Sequence, residues 1–227
     1  MQATVRTLQS KRTFGDIPVK TILCFGDSNT WGAVPGRAGE RFPLDVRWPG
    51  ALQNELGSGY RVLEEGLNGR TTVHDNPLTP YRSGRDYLLP CLQSHKPLDL
   101  VVIFLGTNDL ADRYALPPLD IARGAAVLAN IVATSQTGPG GVAPAVLLLG
   151  LPRIGRSDAL LDTMSGAAAK GAELPRCFAI AAAEIGVPLL ELSEVTAYSD
   201  VDGIHLEADG HRAIASAVAE SVCELLA

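Results

Sequence analysis

Two apolar runs in this chain each close on a glycine. Thr21-Ile22-Leu23-Cys24-Phe25 leads into Gly26, and Leu100-Val101-Val102-Ile103-Phe104-Leu105 leads into Gly106. Both are rich in strand-forming residues and neither alternates apolar with polar, so they read as strands covered on both faces, the mark of a parallel sheet. Parallel strands need crossover connections, and such crossovers place helices on both sides of the sheet.

The remaining signals fit that frame. Tyr60-Arg61-Val62-Leu63-Glu64, Ala145-Val146-Leu147-Leu148-Leu149 and Val187-Pro188-Leu189-Leu190 supply further strands. Helical periodicity predicts helices over about 48–57, 118–134, 167–185 and 208–226, with Pro175 expected to kink or restart the third. Alternating units with right-handed crossovers predict an α/β fold: a three-layer α/β/α sandwich on a five-stranded parallel flavodoxin-like sheet of order 2-1-3-4-5. Residues 1–17 read as an N-terminal arm and 18–227 as one domain, with loop insertions at about 70–98 and 151–168 expected to wall a substrate pocket.

With 227 residues, 46% of them hydrophobic, the chain can bury a full core as one domain. A net charge of −6 without a long basic stretch argues against nucleic acid as a partner. No apolar run approaches the roughly 18 residues of a membrane span, and no apolar segment near the start resembles a secretion signal. Cys24, Cys91, Cys177 and Cys223 are scattered without framework spacing, so free thiols and a cytoplasmic location are expected.

Ligands of open parallel sheets bind beyond the carboxyl ends of the strands. Gly26-Asp27-Ser28 stands at one such end and Gly106-Thr107-Asn108-Asp109 at another, while Asp202-Gly203-Ile204-His205 precedes the last helix. Each alone has a plain reading: a turn, a helix cap, half a metal site. Together they place a hydroxyl, a carboxamide and an Asp-x-x-His pair along one sheet edge. That is the equipment for acyl transfer through a serine ester, with Ser28 as nucleophile, His205 as base and Asp202 as its orienting carboxylate. The Asn108 side chain can donate to a developing oxyanion. His74, His95 and His211 do not complete a cluster with Asp202 and His205, so no metal is expected; His211 is read as structural, on the outer side of the helix start. Thr137-Gly138-Pro139-Gly140-Gly141 precedes a strand instead of following one, so it reads as a turn and not a dinucleotide loop, and no cofactor is implied.

Gly26-Asp27-Ser28, Gly69, Gly106-Thr107-Asn108-Asp109 and Asp202-x-x-His205 resemble, in order, the blocks of the SGNH (GDSL-type) hydrolases. Thr30-Trp31-Gly32, Val46-Arg47-Trp48, Glu64-Glu65-Gly66-Leu67 and Arg70-Thr71-Thr72 are similar to the bacterial arylesterase/acyltransferase branch. Asn29 departs from that pattern, where Leu is usual, as does Arg153-Ile154-Gly155-Arg156, where a Pro-rich stretch is usual. The resemblance implies an oxyanion hole of the Ser28 and Gly69 N–H groups with the Asn108 side chain. It also implies a serine esterase for small-molecule acyl esters, able to pass the acyl group to alcohols, and a homo-oligomer whose subunits narrow the entrance. Trp31, Asn29 and Ile204 are the expected substrate contacts. A carbohydrate O-deacetylase would use the same residues, with Arg41, Arg47, Arg70, Arg82 and Arg85 as candidates to line a sugar site.

Overall fold

The computed structural model describes residues 19–227, so the expected arm at 1–17 lies outside it. Five parallel strands form one sheet in the order β2-β1-β3-β4-β5: β1 (Lys20–Gly26), β2 (Tyr60–Gly66), β3 (Leu100–Phe104), β4 (Ala145–Leu149) and β5 (Leu189–Leu190). This is the expected architecture and order. Residues 22–25 of β1 and all of β3 are fully buried. Their unbroken apolar composition follows from helices lying on both faces.

The helices are α1 (Ser28–Trp31), α2 (Trp48–Leu56), α3 (Gly84–His95), α4 (Pro118–Thr134), α5 (Ala167–Ile185) and α6 (Ala208–Leu225). α2 packs on α6, while α4 packs against α3 and α5. α3 falls inside the segment 70–98, where a loop insertion is expected. It forms because Leu88, Cys91 and Leu92 bury one face, which outweighs Pro90 within the helix. α5 does not restart at Pro175: it is one helix from Ala167 to Ile185, closed by Gly186 in the left-handed conformation. Among the described residues, no helix is long and apolar enough to cross a membrane.

The strands end level with one another. Gly26 of β1 pairs with Gly66 of β2 and Phe104 of β3, so the segments leaving these strands emerge along one edge. His211 corrects its expected placement. It is fully buried at the start of α6, where its Nδ1 accepts the Trp48 N–H at 3.3 Å and its ring meets Phe42 edge-on.

Candidate active site

Gly26 lets a helix begin directly off a strand. A Cβ there would lie 2.0 Å from Thr30 Oγ1 and 2.8 Å from the Phe104 carbonyl, so no larger residue fits between β1, β3 and α1. Asp27 caps the turn by accepting the Asn29 N–H at 2.9 Å. Ser28 thereby becomes the first residue of α1, poised just beyond the sheet edge.

The turn at 202–206 brings the second half of the site. Asp202 Oδ1 accepts the N–H groups of Ile204 (3.2 Å) and His205 (3.0 Å), and Oδ2 accepts the Gly36 N–H at 2.8 Å. The same Oδ2 lies 2.8 Å from His205 Nδ1, and His205 Nε2 lies 2.9 Å from Ser28 Oγ. Burial by itself would raise the Asp202 carboxyl, but hydrogen bonds from the His205 ring and from the Gly36 and Ile204 N–H groups outweigh it and hold the group down to about 2. Asp202 is therefore an anion throughout the neutral range. An anion on Nδ1 favours the tautomer protonated there, which leaves Nε2 able to accept a hydrogen bond from the Ser28 hydroxyl.

Asn29 does not fill its expected role as a substrate contact. One step further round the first helical turn, it faces the 204–206 segment: its Nδ2 donates to the Ile204 carbonyl at 3.0 Å and its Oδ1 accepts the Leu206 N–H at 3.1 Å. Buried in this way, it clamps the histidine turn to the nucleophile turn.

The third segment leaves β3. Asn108 Nδ2 donates to the Arg70 carbonyl at 2.9 Å and, over a long 3.4 Å, to the Asp27 carboxylate. Buried Asp109 accepts the Thr72 N–H at 3.0 Å and also its hydroxyl, which ties the chain after Gly69 to the Asn108 turn. Gly69 itself holds a φ of +75°, a left-handed conformation that a Cβ would strain. Among the described residues, neither the Ser28 N–H nor the Gly69 N–H has a hydrogen-bond acceptor. Asp27, which the sequence reading quoted without giving it a role, lies beneath both Ser28 and Asn108. Its burial pushes the carboxyl up to about 6, against the Asn29 hydrogen bonds and the nearby His205 charge.

A cavity of about 420 Å³ opens over these groups, lined by Ser28, His205, Asn108 and Gly69 together with Trp31 and Ile204. Its outer wall is the segment from Ala33 to Gly39 and not the two insertions expected to form it. Asp202 makes this wall by anchoring Gly36, a contact across 166 residues of sequence. The insertions instead line two other cavities: one of about 210 Å³ that shares Gly69 and Asn108 and is closed by Asn76 and Met164, and one of about 950 Å³ walled largely by residues of 70–98. None of Arg41, Arg47, Arg70, Arg82 and Arg85 lines the cavity over Ser28. Arg41 and Arg47 pair with Glu64 at 3.3 and 3.0 Å. Arg70 is buried beneath the sheet edge, donating to the Gly26 carbonyl at 2.8 Å with its guanidinium 4.2 Å from the centre of the Phe25 ring.

The chain is similar to known proteins in sequence and in fold. An aryl esterase from M. smegmatis is 43% identical in sequence, with a TM-score of 0.86 over 91% of this chain and 99% of that one. A carbohydrate acetylesterase from Sinorhizobium meliloti is 36% identical, again with a TM-score of 0.86 over 91% of this chain and 99% of that one. No curated protein matches the chain. The model of the GDSL-like lipase/acylhydrolase family matches residues 24–213, a span running from β1 into α6 that takes in Ser28, Asn108, Asp202 and His205. A family match of that extent, joined to the sheet order and the shared edge, makes this chain a member of the GDSL-like lipase/acylhydrolase family and a carboxylic ester hydrolase.

Proposed function

We propose that the protein is a serine esterase for short-chain aryl and alkyl esters, working through an acyl-enzyme on Ser28. The observation that carries this reading is the unbroken chain from Asp202 to His205 (2.8 Å) to Ser28 (2.9 Å) inside the cavity that also holds Asn108 and Gly69. Ser28 Oγ attacks the ester carbonyl and gives its proton to His205 Nε2, while Asp202 stabilises the imidazolium. Negative charge gathers on the former carbonyl oxygen, within reach of the Ser28 and Gly69 N–H groups and Asn108 Nδ2. The long Asn108–Asp27 contact is the one released when that oxyanion forms. Collapse expels the alcohol, which takes the proton back from His205. Water or a second alcohol then attacks the acyl-enzyme with His205 again as base, giving the acid or a new ester.

The size of the enclosed space supports a small acyl group. The cavity beside Gly69 and Asn108 has about 210 Å³, bounded by Tyr114 and Met164. A homo-oligomer is supported by apolar side chains of the two insertions that face solvent in the single chain: Leu78 at 78%, Tyr81 at 88% and Leu161 at 63% exposure. Leu88 and Leu160, which also fall within those insertions, are core residues.

A p-nitrophenyl ester series from acetyl to octanoyl, run with an added alcohol and paired with light scattering, tests the whole reading. The expected outcome is an oligomer that prefers short chains, from acetyl through butyryl, over longer ones and forms measurable ester from the alcohol. A monomer that hydrolyses octanoyl esters as fast as acetyl esters would refute the narrow pocket. The second reading, a carbohydrate O-deacetylase, is favoured by two polar side chains in the cavity lining, Arg37 and Asn68. Faster turnover of acetylated sugars than of aryl acetates would select it.

A further inference from the structure

Away from the serine edge, β2 and α3 bring together three side chains that the proposed esterase chemistry does not use. Glu65 projects from the end of β2, and Cys91 and His95 sit four residues apart on α3, hence on one face of that helix. One donor atom from each, a carboxylate oxygen, a thiol sulfur and an imidazole nitrogen, lies within 4.8 Å of the other two. His95 Nε2 is 2.8 Å from Glu65 Oε1, and the Tyr87 hydroxyl donates to Glu65 Oε2 at 3.3 Å.

We propose that Glu65, Cys91 and His95 form a binding site for a borderline-soft divalent cation of the zinc class. Sulfur, imidazole and carboxylate form a donor set that such an ion accepts, whereas magnesium and calcium take oxygen ligands. With metal–ligand bonds of roughly 2.0 to 2.3 Å, tetrahedral coordination holds donor atoms roughly 3.3 to 3.6 Å apart. The donor atoms, all within 4.8 Å of one another, already approach that range, and the closest pair, His95 Nε2 and Glu65 Oε1 at 2.8 Å, would spread to it. Tyr87 already orients the carboxylate from behind, the kind of outer contact that fixes a ligand. Glu65 and Tyr87 also line an open cavity of about 950 Å³, which gives an ion and its remaining water ligand a route from solvent.

Electrostatics set the conditions for binding. The Cys91 thiol is pushed up to about 12 by burial and by the Glu65 charge, so without a cation it keeps its proton. On binding, the S–H bond breaks, the sulfur pair goes to the metal and the proton goes to solvent, so affinity rises with pH. The Arg70 guanidinium nearby opposes a cation, but the thiolate and carboxylate supply two negative charges against it, and Arg70 is already committed to the Gly26 and Glu65 carbonyls. The bound ion would fasten α3 to the end of β2, from which the chain runs on through Leu67 to Gly69. Its role is bracing, separate from the reaction.

Titration of the metal-free full chain with zinc alone and with cobalt alone tests the site. Expected are one ion per chain, a thiolate-to-cobalt charge-transfer absorption, a Tm that climbs with zinc, and esterase turnover that survives chelation. Cys91→Ser should abolish the charge-transfer band, and His95→Gln, at the more exposed ligand, should weaken affinity at least tenfold while keeping the fold. Absence of the band in wild type, or zinc affinity unchanged in both variants, would overturn the proposal. Zinc that inhibits the esterase and still binds Cys91→Ser would place the ion on Asp202 and His205 instead and overturn it equally.

Discussion

Two histidines close in sequence, one on the 202–206 turn and one in the first turn of α6, occupy opposite environments. His205 has a carboxylate on one ring nitrogen and a hydroxyl on the other, with its side chain 21% exposed to the cavity. His211 is fully buried, accepts a backbone N–H from Trp48 and, among the described residues, leaves its Nε2 without a partner. Burial first, then the charges of Arg47 and His205, press His211 down to about 4, so it stays neutral. The same residue type faces a hydroxyl in an open cavity at one position and is packing material at the other. What separates them is a paired anion and an opening to the cavity.

The sharpest way to break that contrast is to remove the groups that make His205 useful. Ser28→Ala is expected to lower kcat by a factor on the order of 10⁶ with the fold intact. Esterase assays with a Tm control check this, and retention of a tenth of the activity would rule out Ser28 as nucleophile. Asp202→Asn keeps the shape of the turn but takes the anion from Nδ1, so kcat should fall by a factor on the order of 10⁴. A loss under tenfold would mean that His205 does not depend on its carboxylate.

These residues were legible because each announces itself locally. Ser28 and Asn108 follow strands that end on glycine, and Asp202 and His205 share one short turn, so the strand pattern alone sends all of them to the same edge. Gly69 became visible only through the resemblance, since nothing beside it in the sequence requires a φ of +75°. The cavity wall from Ala33 to Gly39 was missed because the bond that positions it, Gly36 N–H to Asp202, joins distant parts of the chain. Asn29 was misread for a related reason. Its neighbours in sequence say where the residue lies, while its partners Ile204 and Leu206 decide what the side chain does. Helix α3, and with it the spacing of Cys91 and His95, was hidden by Gly84 and Pro90, which mark loops more often than helices.

A smaller effect is expected at Asn108. Its amide meets developing charge more strongly than it meets the ground-state carbonyl, so Asn108→Ala should reduce kcat by roughly 100- to 1000-fold with KM little changed. Steady-state kinetics decide the matter: an effect confined to KM would make Asn108 a substrate-binding residue outside any oxyanion hole.

The smallest effect concerns stability, and it returns to the buried histidine. The unfolded chain takes up the His211 proton near its ordinary 6.5, whereas the folded protein resists until about pH 4. Between those values the unfolded state binds more protons, so this residue's contribution is complete above 6.5 and is lost as pH falls toward 4, by roughly 3 kcal/mol. Asp27 acts in the opposite sense. Its folded value of about 6 stands above its ordinary 3.8, so between them the folded state binds more protons and acidification stabilises it, also by roughly 3 kcal/mol. The two slopes nearly cancel between pH 6 and pH 4 in the intact protein. His211→Gln removes only the first, and denaturant titrations at pH 6 and pH 4 should then show the variant gaining stability relative to wild type on acidification. An identical pH dependence for variant and wild type would mean that His211 protonates alike in both states, and the contrast with His205 would rest on access to the cavity alone.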